Sequence, residues 1–105
     1  MNKLFSIQQF ELTSKSLFKE RVHLLNLLKH EIGLFQKVHT NITFITDFDE
    51  SISYIQLDKV QFRQVIDNLI NNSIKIMNQE MVDDSQIFLG CKQKNDSIII
   101  EIEDN

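Results

Sequence analysis

The chain is expected to fold as an α+β domain, a two-layer sandwich with helices on one face of a mixed β-sheet. Three observations carry this expectation. Two stretches, 21–38 and 58–77, repeat apolar residues at 3- and 4-residue spacing, the period of an amphipathic helix. Two later runs, 86–92 and 97–103, alternate at the period of a strand around a polar turn. Two shorter strand-like runs, 41–48 and 54–57, lie between the helical stretches. Helices with one apolar stripe and strands with one apolar face bury those surfaces against each other.

With 105 residues the chain is about one domain. A net charge of -4 argues against a nucleic-acid or anionic-membrane binder. No apolar run approaches the ~20 residues of a membrane span, and no signal-peptide pattern opens the chain. The single cysteine, Cys91, has no internal disulfide partner, which suits a reducing cytosol. In a strand it reads as a buried, inert thiol. Glycine and proline usage is unusual, with two Gly and no Pro. Phosphate loops need glycine so that backbone N–H groups can approach the anion. Neither Gly33 nor Gly90 belongs to such a cluster, so any nucleotide site built from this chain alone is partial.

In chain order, 1–12 fits two patterns: Leu4, Phe5, Gln8 and Leu12 suit a short helix, Phe5, Ile7 and Gln9 a strand, and the reading leans towards helix. The stretch 13–19 suits a short edge strand. The helix over 21–38 has its stripe in Val22, Leu25, Leu28, Ile32 and Phe35, broadened by Leu24. Glu31 and Gly33 lie within that stripe. Gly33 lowers helix propensity by up to ~1 kcal/mol, and close packing against a neighbour is its expected reason. His23, His30 and His39 are isolated, and no pair has the i, i+4 spacing of a helical metal site. In the strand over 41–48, Ile42, Phe44 and Thr46 face one way and Thr43, Ile45 and Asp47 the other. A polar turn, 49–51, leads to the strand at 54–57. Asp58 is then placed to cap the central helix, accepting from its first free N–H groups. After Met77 come a polar connection, 78–85, and a hairpin turning at 94–96. On its return strand Ile98, Ile100 and Ile102 share the face expected to pack under the central helix.

The apolar residues of the central helix are Phe62, Val65, Ile66, Leu69, Ile70, Ile74 and Met77. Its polar side is less ordinary. At ~100° per residue, Gln64, Asn68, Asn72 and Lys75 fall within an arc of roughly 80°. Two carboxamides one turn apart, with a cation beside them, can face one ligand. The bland alternative is a solvated polar face, widened by Asp67 and Asn71.

The run QVIDNLINNSIK resembles the N-box of the histidine-kinase-type ATP-binding domain, roughly Q-V-L-x-N-L-L-x-N-A-x-K. Gln64, Val65, Asn68, Leu69, Asn72 and Lys75 match, and Ser73 stands where the family usually has Ala. Asp58 and Phe62 fit the family's lead-in, with Lys59 in place of a frequent Pro. The chain ends in Glu103-Asp104-Asn105, similar to the start of the G1 box, E-D-x-G-x-G. The resemblance covers roughly 14–105, a truncated ATP-binding domain after a 1–13 tail of a preceding segment. Its details look most like the nitrogen-regulation-type sensor kinases. His30-Glu31 resembles the family's phosphoacceptor context, but it lacks the Pro and lies too near the N-box. His30 is therefore read as a surface histidine.

The resemblance implies an incomplete Bergerat-type ATP-binding fold and a set of roles. Asn72 would coordinate the Mg²⁺ that bridges the ATP phosphates, and Asn68 would support the same ion. A neutral carboxamide oxygen suits a hard cation that already has phosphate ligands and waters. An amide at position 68 cannot take a proton from water, so ATP would be held without efficient hydrolysis. Lys75 would neutralise phosphate charge. Asp104 would accept from the adenine amino group, the alternative being a fraying C-terminal carboxylate. No G1 glycine, ATP lid or phosphoacceptor histidine follows in this chain, so weak Mg-ATP binding and no activity alone are expected. The edge beyond 97–103 would stay open to pairing with a second copy.

The function expected from sequence is thus a cytoplasmic fragment of a two-component sensor histidine kinase, the intact kinase being membrane-anchored. Its partners would be ATP, the remainder of a kinase, or a response regulator. A non-catalytic protein-interaction module on the same scaffold is the alternative. An unrelated α+β domain with a merely solvated Asn stripe is a third reading.

Overall fold

The computed structural model describes residues 3–7, 19–81, 83–94 and 97–105. The elements run β1 (Lys3–Ile7), β2 (Glu20–His23), α1 (Leu24–Val38), β3 (Thr43–Phe48), β4 (Tyr54–Leu57), α2 (Lys59–Gln79), β5 (Gln86–Lys94) and β6 (Ser97–Asp104). Four strands form a sheet in the order β1-β6-β5-β3. The β5–β6 hairpin is antiparallel, and β3 joins β5 in parallel with α2 in the connection between them. The sheet is therefore mixed, as expected. A second, two-stranded sheet pairs β2 with β4 antiparallel.

Alternation along the hairpin sets the two layers. Ile87, Leu89 and Cys91 of β5 are buried, as are Ile100, Ile102 and Asp104 of β6. The intervening Phe88, Ile99, Glu101 and Glu103 are only partly covered. The helices pack on the first face. α2 contributes Phe62, Ile66, Ile70, Ile74 and Met77, and α1 contributes Leu24, Leu25, Leu27, Leu28 and Ile32. Burying side chains of this size contributes about 1.5–3 kcal/mol each, far more than the propensity differences within either helix.

The ends of α2 follow local chemistry. Asp58 is its N-cap, and its Oδ1 accepts from the Gln61 N–H at 3.1 Å, as the sequence predicts. At the other end Met81 takes a left-handed conformation, φ +52°. That position past a helix usually favours glycine, and this chain has none nearby.

Three expectations are corrected. The first helix starts at Leu24 rather than Arg21, because 21–23 belongs to β2. Val22 and His23 satisfy strand pairing with Ile55 and Tyr54, and His23 then caps α1, its Nδ1 accepting from the Asn26 N–H at 3.3 Å. Residues 3–7, expected to be helical, form β1, paired antiparallel with β6 from Lys3 opposite Asp104 to Ile7 opposite Ile100. An isolated helix of that length is marginal, whereas β6 offers a row of unpaired backbone groups. The edge of β6 is consequently occupied by β1 and not open to a second copy. The rest of 1–12, residues 13–18 of the strand expected over 13–19 and the tip of the hairpin turn lie outside the described residues, and Lys19 is not in a strand.

The third correction concerns Gly33. A Cβ built there meets nothing within 4 Å, so close packing does not account for this glycine, and nothing else in the structure does. Gly33→Ala is therefore expected to stabilise the fold by about 0.5–1 kcal/mol, measured as a rise in the urea midpoint. A fall would mean that the position is tighter than its surroundings indicate.

Candidate functional site

One face of α2 is fully committed to the core, and that fixes the other. With Phe62, Ile66, Ile70, Ser73, Ile74 and Met77 buried, Gln64, Asn68, Asn72 and Lys75 are all exposed. They form the outward stripe that the periodicity predicts. Asn71 shares it, but Asp67 does not. Asp67 turns towards α1 and is part of a separate polar cluster described below.

Asp104 is placed differently. It ends β6 on the helix-bearing side of the sheet and is only 2% exposed. Neither of its carboxylate oxygens has a hydrogen-bond partner. The end of its strand is held firmly. Asn105 Oδ1 accepts from the Gln86 N–H at 2.9 Å, and its Nδ2 donates to the Asp84 carbonyl at 3.0 Å. These bonds tie the last residue of the chain to the start of β5, so Asp104 is not a fraying terminal carboxylate. Ser73 Oγ, on the inner face of α2, and Asp67 Oδ1 are further buried polar atoms without a partner among the described residues. An unsatisfied buried polar group costs about 1–3 kcal/mol, and Asp104 and Ser73, on facing elements, mark a place where the fold tolerates that cost.

The structure therefore does not bring the four residues singled out from sequence together. Asn68, Asn72 and Lys75 face outward on α2, and Asp104 lies on the side of β6 that α2 covers. No hydrogen bond or ion pair joins them. The cavity of about 210 Å³ that Asp104 borders is lined by Ile45, Gln86, Phe88, Glu103 and Asn105. The three α2 residues take no part in its wall.

A cluster that the sequence reading did not assemble sits between the helices. Glu31 of α1 is 1% exposed, and its Oε1 receives a charge-assisted bond from Arg63 Nε at 2.5 Å. Asp67 lies one turn beyond Arg63 on α2. Burial first, then a hydrogen bond with Glu31 and repulsion from it, push the Asp67 carboxyl up to about 6, against the pull of Arg63. The signal was present in the sequence. Glu31 interrupts an apolar stripe, which calls for a partner, and Arg63 and Asp67 have the i, i+4 spacing of one helix face. Cys91, in contrast, matches its expectation. It is buried, and burial foremost, then Asp49, pushes its thiol up to about 12. His30 is exposed, as a surface histidine should be. No described helix is long and apolar enough to cross a membrane.

Two helices over one face of a mixed sheet, with β3 and β5 parallel around α2, define the fold of a histidine kinase catalytic domain. Among solved structures the chain is similar to the catalytic domain of histidine kinase ThkA in a nucleotide-free form. The TM-score is 0.61 at 12% identity, over 81% of this chain and 93% of that one. It is also similar to ThkA in complex with the response regulator protein TrrA, with a TM-score of 0.60 at 12% identity, over 81% of this chain and 41% of that one. At this identity the likeness is one of fold. No protein-family model matches the chain, and no curated protein matches it. The nitrogen-regulation subfamily gains no support from these comparisons.

The Asp67 shift has a defined sign. The folded chain holds this proton more tightly than the unfolded chain does. Its contribution to stability is therefore complete below the ordinary carboxylate range and is lost as pH rises through about 6. Asp67→Asn should remove that dependence. The variant is expected to melt above the wild type at neutral pH, with the gap closing as the pH falls below 4. A gap independent of pH would contradict the raised Asp67 carboxyl.

Proposed function

We propose that this chain carries the opening half of a Mg-ATP site of the histidine-kinase type, as a fragment of a two-component sensor kinase. The observation that supports the reading most is Asp104. A buried carboxylate without a partner, on a strand clamped at its end, is poised for a donor that the protein does not supply. The adenine amino group is such a donor. Its hydrogen bond would relieve the buried acceptor and select adenine over bases that present a carbonyl there. The unsatisfied hydroxyl of Ser73, in place of the family's usual Ala, adds a second polar atom on the facing element.

The exposed stripe suits the phosphates. Asn72 would hold Mg²⁺ through its carboxamide oxygen, Asn68 would support the ion or its waters, and Lys75 would balance phosphate charge. The bound nucleotide would supply a γ-phosphoryl group for transfer to a histidine and then to a response-regulator aspartate. With an amide at position 68, no side chain there can activate water, so the site keeps ATP intact. The two glycines lie in α1 and β5, so this chain offers no glycine-rich loop to cradle phosphates. We accordingly expect weak nucleotide binding and no autophosphorylation from this chain alone. A response regulator, or the remainder of a kinase, is the partner in keeping with the ThkA–TrrA complex. The setting would be cytoplasmic, with the intact kinase anchored in a membrane.

Amide NMR shifts on titration with Mg-ATP and Mg-GTP test this reading. Changes should centre on Asn72, Ser73, Lys75 and Asp104, be larger with ATP, and fit an affinity weaker than micromolar. Silence at Asp104 and Asn72 would refute the nucleotide site and leave the interaction-module alternative. Micromolar affinity would refute the partial character of the site.

A further inference from the structure

We propose a second, separate ligand site. The cavity between β2 and the first turns of α1 and α2 binds a compact oxyanion of the phosphate class. It holds about 390 Å³ and is walled by Arg21, Lys59 and Arg63 with His23 and His30, against one carboxylate, Glu20. Three fixed cations around one hollow run counter to a chain of net charge -4. Like charges gathered in a concavity repel one another and focus a positive potential into it. An anion in the cavity relieves that repulsion.

Two of the three cations are already oriented. The guanidinium of Arg21 lies 4.4 Å from the centre of the Tyr54 ring. His23 meets the same ring edge-on, with centroids 5.1 Å apart. Stacking occupies the face of a guanidinium and leaves its N–H edge for acceptors in the plane. Arg63 is held from the opposite side through its Nε by the buried Glu31. Ordering such side chains on binding costs less than ordering free ones. Guanidinium edges match the paired oxygens of a phosphate, and Lys59 adds a point charge. His23 contributes direction. Its Nδ1 accepts from the Asn26 N–H, which makes Nε2 the donor of the neutral ring.

This site does not depend on the nucleotide reading. Asn68, Asn72, Lys75 and Asp104 are absent from its wall, so the two sites give distinguishable spectra. The test is an amide NMR titration of the full chain with inorganic phosphate, with sodium chloride at matched ionic strength as the control. Free phosphoserine, in a parallel arm, asks whether a phosphorylated side chain is taken as well as the free ion. Saturable phosphate shifts are expected at Val22, Asn26, Lys59 and Arg63. The double variant R21Q/K59Q should weaken them at least roughly tenfold with the remaining spectrum unchanged. Lys59→Gln alone, at an exposed helix position, should weaken them several-fold and guards against a fold defect in the double variant. Shifts equal to those with chloride, or unaltered by either substitution, overturn the proposal.

Discussion

The structure depends on the packing of α2 against the inner face of the β5–β6 hairpin. A helix turns through ~100° per residue, so committing Phe62, Ile66, Ile70, Ile74 and Met77 to the core leaves no freedom in where the other side chains point. The hairpin is under the same constraint with a period of two. Once Ile100 and Ile102 face the helices, Asp104 must face them too. A carboxylate is thereby carried under the helix layer, while Asn68 and Asn72 are carried to the outside of α2. Asp58 adds a fixed starting point by capping the helix that carries the two carboxamides.

The polar groups inside this packing fall into two kinds. Glu31 is satisfied by Arg63, and beside them the Asp67 carboxyl is pushed up to about 6, chiefly by burial and then by Glu31. Its contribution to stability varies with pH because the folded chain holds the Asp67 proton more tightly than the unfolded chain does. Asp104 and Ser73 are open. Their oxygens are buried and unpaired, which subtracts from the stability of a domain whose total is of order 5–15 kcal/mol. Folds tolerate such deficits where a ligand makes them good. The same economy separates the phosphate-class cavity from the Asp104 region. There the charges are mostly positive, with Glu20 the one carboxylate of the wall, and the deficit is repulsion rather than lost hydrogen bonds.

Much of the fold was legible because it rests on periodicity. The α+β class, the second helix with its cap, the strands β3 and β4, and the terminal hairpin all follow from local spacing. So does the outward stripe of Asn68, Asn72 and Lys75. The failures share a cause, which is that pairing between distant segments leaves little local trace. Arg21–His23 reads as the first turn of a helix and is instead drawn into a strand by Tyr54–Leu57. Residues 3–7 fit either a helix or a strand locally, and pairing with β6 decides for the strand. Glu31 announces a buried charge without saying that Arg63, 32 residues on, satisfies it. The burial of Asp104 was implied by alternation with Ile102, yet the clamp by Asn105 that prevents fraying is a tertiary detail. The cationic cavity gathers residues from three elements, and no sequence window contains it.

The central claim is that the Asp104 carboxylate does nothing for the fold and is held in reserve for a ligand. Thermal unfolding of Asp104→Leu tests it most directly, since leucine has the same branched shape and no polar atoms. Removing an uncompensated buried acceptor in favour of an apolar isostere should be neutral or raise Tm, with a gain of up to about 1–3 kcal/mol in the folding free energy. A clear loss of stability would contradict the claim, because it would mean that the carboxylate has a partner within the folded chain.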